Sequence, residues 1–323
     1  MKHPSLLWRF AVLGLAWPAL AAAAAPYPSQ PITVLVPFAA GSGTDVNTRQ
    51  VTSAMSKYLN GVTFVVENRP GANGAIAARA AAQAQPDGYT LLASTNTTHA
   101  ANPHLFQSLG YAPLEDFVPV GILGSTAPVL LRGKSRPIDT VAELRALATA
   151  PSSELDFAVT NASGELATRW LAQAAGLNTQ FVPYKSMPQA LTDLASGQVD
   201  FLFGDVASSR GLMESGAVTA LAVASPTRLA ALPSLPTLSE LGVGDIDVQI
   251  WLGLFARSGT PAAVLDRLND ALSRALQEPE VAQMLLNTGV GPGRFNRDEA
   301  AQFVQAQYDL WGDRVKQLQI EKR

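Results

Sequence analysis

The sequence predicts an α/β protein built as two domains. Apolar, β-branched runs such as Ile32-Thr33-Val34-Leu35-Val36 alternate with stretches of helical periodicity, which implies sheets with helices between their strands. Polar, glycine-punctuated loops follow several of these runs at their carboxyl ends, where open parallel sheets place their ligands. Two long apolar passages, Phe117 to Leu131 and Gln249 to Ala256, read as paired crossings between the domains.

The first strand, Ile32 to Val36, runs into Pro37-Phe38-Ala39-Ala40-Gly41-Ser42-Gly43-Thr44-Asp45, and a helix from Asp45 to Leu59 follows, with Val51, Met55, Tyr58 and Leu59 at helical spacing. Small residues let the backbone approach a ligand, and the first helical N–H groups lack intrahelical partners. The helix dipole adds partial positive charge, so an anion is favoured at this loop; a plain structural turn is the alternative. The loop has neither the Lys of a phosphate-cradling P-loop nor the glycine spacing of a dinucleotide fingerprint.

Thr63 to Glu67 forms the second strand, ended by Pro70-Gly71, and the Ala-rich stretch Asn73 to Gln85 forms a helix stopped by Pro86-Asp87-Gly88. Tyr89 to Ala93 is a third strand, running into a second polar loop, Ser94-Thr95-Asn96-Thr97-Thr98-His99. After the first crossing, Thr140 and Glu143 make a capping box. Strand Asp156 to Val159 leads through Thr160-Asn161-Ala162-Ser163-Gly164 into a helix from Glu165 to Ala175, repeating the strand–loop–helix plan of the opening stretch. Strand Phe181 to Tyr184, helix Gln189 to Ala195, strand Val199 to Phe203 and strand Val218 to Ala224 complete this unit. Asp205, just past a strand, is placed to cap the helix starting near Val206 or to contact a ligand. Beyond the second crossing, Thr260-Pro261 starts a helix striped by Leu265, Leu268, Leu272 and Leu276. Val281 to Leu286 is the next, and Asn296 with Glu299 starts the last, striped by Val304, Tyr308, Trp311, Val315 and Leu318. These stripes are core.

The basic start with Lys2 and Arg9, the apolar Phe10 to Leu20 and the run Ala21 to Ala25 make residues 1–24 a secretory signal peptide, cleaved near Ala24. Its apolar core is shorter than the ~20 residues of a membrane span. The sequence has no cysteine, hence no lipid-anchoring Cys and no disulfide framework, and its 47% hydrophobic content must supply the core. Removing Lys2 and Arg9 leaves 21 basic against 26 acidic residues, a net −5 that argues against nucleic acid or anionic lipid as partner.

Metal chemistry lacks ligands: only His99 and His104 remain after cleavage, without Cys. No cofactor is indicated. A secreted serine-type hydrolase using Ser42, with Asp45 and His99 as partners, is the rival function, but Gly-x-Ser-x-Gly does not occur.

Several motifs stand in order along the chain: Pro37-Phe38-x-x-Gly41-x-x-Thr44-Asp45, Val66-Glu67-Asn68-Arg69-Pro70-Gly71-Ala72, Pro86-Asp87-Gly88-Tyr89-Thr90-Leu91-Leu92, Val182-Pro183-Tyr184-Lys185, Gly197-Gln198-Val199-Asp200, Leu232-Pro233-x-x-Pro236-Thr237 and Trp251-x-Gly253-Leu254. In these the chain resembles the Bug-type periplasmic solute-binding receptors of tripartite tricarboxylate transporters. The resemblance implies a two-lobed periplasmic binding protein of type II-like fold, each lobe a sheet flanked by helices, with the ligand in the interlobe cleft. Residues 26–125 with 245–323 are then expected as one lobe and 126–244 as the other, closing about the crossings near Gly124 and Gly253. The implied partners are a small organic carboxylate and membrane transporter subunits; the chain is expected to be a periplasmic monomer.

The expected ligand contacts are the loop from Phe38 to Asp45, then Ser94, Asn96 and Thr97, then Thr160, Asn161 and Ser163, with Lys185 and Asp205. With no Arg or Lys in either glycine-bearing loop, a carboxylate is expected to meet backbone N–H groups and hydroxyls, Lys185 being the one nearby cation. The chain departs from the resemblance at Ser42, at Ser186 and in the shorter loop Thr160 to Leu166, where Glu165 would disfavour a second ligand carboxylate if it faces the cleft.

Overall fold

The computed structural model describes residues 27–147, 154–293 and 296–323; the signal peptide expected over residues 1–24 lies outside them. Chain order begins β1 (Ile32–Val36), α1 (Gly43–Ser56), β2 (Phe64–Asn68), α2 (Ala75–Ala82), β3 (Thr90–Thr95), α3 (Asn102–Leu105), β4 (Phe117–Thr126) and β5 (Val129–Arg132). It continues α4 (Val141–Leu147), β6 (Leu155–Val159), α5 (Ala162–Ala175), β7 (Thr179–Pro183), α6 (Met187–Ser196), β8 (Phe201–Gly204), α7 (Val206–Glu214) and β9 (Thr219–Val223). The remainder is β10 (Ile250–Arg257), α8 (Ala262–Gln277), α9 (Pro279–Asn287), β11 (Gly291–Pro292) and α10 (Arg297–Gln317).

Two sheets result, ordered β11-β4-β10-β3-β1-β2 and β7-β6-β8-β5-β9. Each has a parallel core, β2-β1-β3 and β6 with β7 and β8, as the strand–helix alternation predicts. The remaining strands pair antiparallel, so the sheets are mixed rather than parallel throughout. The reason lies in the crossings. The chain leaves the first sheet along β4 and returns along β10, so these neighbours must run in opposite directions; β5 and β9, which enter and leave the second sheet, are related in the same way.

The outward crossing is the two residues Ala127 and Pro128, inside the expected Phe117 to Leu131 passage. The return lies between β9 and β10, with the Val248 amide donating to the Ala224 carbonyl at 3.0 Å, and not in Gln249 to Ala256. Gly253 pairs with Ser94 and Ile122 inside the first sheet, and Gly124 pairs with Leu252 there, so both glycines lie within the sheet and not in the connections between the sheets. Their lack of a side chain serves packing instead: a Cβ on Gly124 would fall 2.0 Å from the Gly291 carbonyl oxygen, so β11 can lie on β4 only where that carbon is missing.

Helix α8 buries Leu265, Leu268, Leu272 and Leu276 against the first sheet, at about 2 kcal/mol per side chain. Helix α10 opens with a capping box between Asn296 and Glu299. It is shared between cores: Val304 packs with Trp251 of the first sheet, whereas Trp311 and Val315 join Phe157, Phe201 and Leu166 of the second. The box between Thr140 and Glu143 also forms, each backbone N–H meeting the other's side chain at 3.2 Å.

Candidate functional site

The carboxyl end of β1 turns into α1 through Gly41, whose φ of +80° only glycine adopts without strain. Asp45 reaches back across this turn. Its carboxylate accepts from the Gly41 amide at 3.0 Å, from Arg49 Nε at 2.9 Å and from Asn68 Nδ2 at 2.9 Å, and Asn68 also holds the Phe38 carbonyl at 3.0 Å. Asp45 therefore braces the loop. Ser42, buried, is the N-cap of α1, its hydroxyl accepting from the Asp45 amide at 3.3 Å.

The carboxyl end of β3 is wound differently from the expected loop. Ser94 and Thr95 are strand, and Thr97–Ala101 form a wide helical turn leading into α3, all of it buried. Along β3, Ser94 shares the face of Leu92, away from the cavity: its hydroxyl contacts Thr98 Oγ1 at 2.8 Å and His99 Nδ1 at 2.5 Å. His99 lies among Phe117, Trp251 and Phe255, and burial pushes its pKa down to about 3. No imidazole serves Ser42, so the hydrolase expectation has no general base in the described geometry.

From the second sheet, Asn161 caps α5, accepting from the Gly164 amide at 3.0 Å, and Ser186 caps α6. Asp205 caps α7, its Oδ1 accepting from the Ser208 amide at 2.8 Å and its two oxygens each lying 2.9 Å from the Ser208 hydroxyl. The same carboxylate reaches across toward the first sheet and lies against Gly43, where a Cβ would fall 2.5 Å from its Oδ1. Desolvation raises its pKa above the usual carboxylate value, against the opposing effect of the Ser208 bonds and the nearby Gly43 amide.

These helix starts enclose a cavity of about 90 Å³ between the sheets. Phe38, Ala39, Ser42, Gly43 and Thr44 line it from one side, with Asn96 and Thr97; Thr160, Asn161, Ser163, Lys185 and Asp205 line it from the other. Four expected residues are not in its lining: Asp45 and Ser94 for the reasons given, and Ala40 and Gly41. Asn96 Nδ2 donates to Ser163 Oγ at 2.8 Å, a bond joining the two sides, while Asn96 Oδ1, fully buried, has no partner.

Sequence reasoning missed an apolar side formed by Phe203, Ile250, Leu252 and Val290, and the loop after α9, where Thr288 Oγ1 lies 2.8 Å from Asn47 Oδ1. The Thr288-Gly289-Val290-Gly291 punctuation was the available signal. Glu165, considered only on the condition that it faces the cleft, is not in the cavity lining. It turns away from the cavity to Arg169, at 2.9 Å, and Arg323, at 2.8 Å. Among the described residues no helix is long and apolar enough to cross a membrane.

The model of the tripartite tricarboxylate transporter family receptor matches residues 47–320. The protein BugT of Bordetella pertussis is 33% identical over 298 residues, covering 90% of each chain. Among solved structures, R. palustris Rpa4515 with adipate superposes with a TM-score of 0.88 at 31% identity, covering 92% of this chain and 100% of that one. MatC from Rhodopseudomonas palustris with bound malate gives 0.83 at 33% identity, covering 90% and 100%. With two such sheets around one cavity and a match over most of its length, the chain belongs to the Bug-type receptors of the tripartite tricarboxylate transporter family.

Proposed function

We propose that this protein is an extracytoplasmic receptor that captures a small organic carboxylate in the cavity between its sheets and presents it to a tripartite tricarboxylate-type membrane transporter. The observation that carries the reading is the cavity itself: four helix starts, α1, α5, α6 and α7, converge on it, and their hydroxyl and amide groups are suited to an anion held without a buried Arg. The adipate and malate of the two solved relatives supply the substrate class. Binding without turnover is part of the proposal, as are action as a monomer and export through the signal peptide to the periplasm.

We assign residues 26–125 with 245–323 to one lobe and 126–244 to the other, a division supported by the membership of the two sheets. Cleft closure is a population shift driven by contacts to both lobes. A thermal-shift screen of small carboxylates on the mature protein tests the function. A ligand at 100 times its dissociation constant adds about 2.7 kcal/mol to folding stability. A screen in which no carboxylate raises the midpoint would overturn the receptor reading.

A further inference from the structure

Resting on the receptor reading, we infer that the solute carries a single carboxylate together with a hydrogen-bond donor, a hydroxyl or a protonated amine, and that Asp205 is the residue that refuses a second carboxylate. Part of the anion-attracting start of α1 is already committed. The Asp45 amide is taken by the Ser42 hydroxyl, and the Asp205 carboxylate lies against Gly43 from the side of the opposite sheet. A Cβ built on Gly43 falls 2.5 Å from Asp205 Oδ1, so this carboxylate is lodged against the helix start itself. It acts there as a built-in anion, and a ligand carboxylate beside it would face like charge in an enclosed cavity.

A second buried group asks for a donor as well. Asn96 Oδ1 is an acceptor with no partner in a residue that is fully buried and lines the cavity. An unmet buried acceptor is costly, and a hydroxyl or ammonium group on the solute relieves that cost. Against these acceptors the cavity lining offers one cation, Lys185, and the first turn of α5 with Ser163. One negative charge is matched there; two are not. A cavity of about 90 Å³ suits a small acid.

Four acids of equal chain length separate the possibilities: butanoate, 4-hydroxybutanoate, 4-aminobutanoate and succinate, which differ only in the terminal group. Calorimetric titration of the mature protein at neutral pH is expected to rank the two donor-bearing acids about tenfold or more above butanoate, with succinate weakest. Asp205→Asn keeps a capping side chain at α7 and removes the charge. It is expected to strengthen succinate and weaken 4-aminobutanoate, each by about tenfold. Succinate binding the wild type as tightly as 4-hydroxybutanoate, or an unchanged ranking in Asp205→Asn, overturns the inference. If none of the four binds while adipate does, this inference falls and the receptor reading stands; if no carboxylate binds at all, the receptor reading falls.

Discussion

Glu165 Oε2 lies 2.8 Å from the guanidinium of Arg323, and its Oε1 lies 2.9 Å from that of Arg169. The carboxylate is buried, with 7% of its side chain exposed, whereas both arginines are substantially exposed. Arg323 thereby fastens the segment after α10 to the first turn of α5, and its backbone pairs with Leu105 and Gln107 on the other side. Losing one arginine leaves the other in place, so Arg323→Ala should cost under about 1 kcal/mol. Removing both strands a buried carboxylate and should cost about 3 kcal/mol or more. Urea denaturation of the single and double variants checks the non-additivity, and equal, additive losses would contradict it.

The bond from Asn96 to Ser163 joins the two sides of the cavity. Ser163→Ala should leave the unfolding midpoint almost unchanged and weaken solute binding about tenfold. Calorimetry against the best carboxylate of the thermal-shift screen measures this. Full affinity in the variant would remove the bond from the binding mechanism.

Gly43→Ala should reduce binding more severely, because the new Cβ and the Asp205 carboxylate cannot occupy the same space. Asp205 is held by Ser208 and cannot yield without giving up its cap. Small-angle scattering with saturating solute should show compaction in the wild type and little in the variant, with Asp205→Ala in the same chain restoring it.

Stability should fall in mild acid through His99. Its pKa is depressed to about 3 in the folded chain, so its contribution is complete above the ordinary value of 6.5 and is lost as pH falls toward 3. Between pH 6.5 and 5 this group alone removes about 2 kcal/mol. Asp205 acts in the opposite sense: with a raised pKa, its protonation favours the folded chain as pH falls, and that stability is lost as pH rises. His99→Gln isolates the imidazole, and its urea midpoint should depend less on pH over this window than the wild type's.

Cell fractionation should recover a shortened chain in the periplasm, cleaved near Ala24. Full-length chain in the membrane or cytoplasm would refute export.

Local signals carried much of the fold. Apolar runs gave β1 and β3, leucines at helical spacing gave α8, and helix-start signals gave the cap at Asp205 and the capping boxes of Thr140 with Glu143 and Asn296 with Glu299. What escaped were relations set by tertiary geometry. Strand alternation separates Ser94 from Thr95, but which face meets a cavity is decided by the sheet's neighbours. Asp45 looked like part of a ligand loop because nothing near it in sequence announces Asn68 as its partner, 23 residues on. Val290 and Thr288 reach the cavity only because β11 lies on β4.

The contact between Gly43 and Asp205 also bears on how this sequence can drift. Position 43 is free of positive-φ strain, so in isolation the backbone there would accept alanine or serine. What forbids them is one side chain contributed by the other sheet, 162 positions further along the chain. The two sites are therefore physically coupled: a side chain at 43 fits only where residue 205 is shorter or displaced, so a substitution at one changes what the other tolerates.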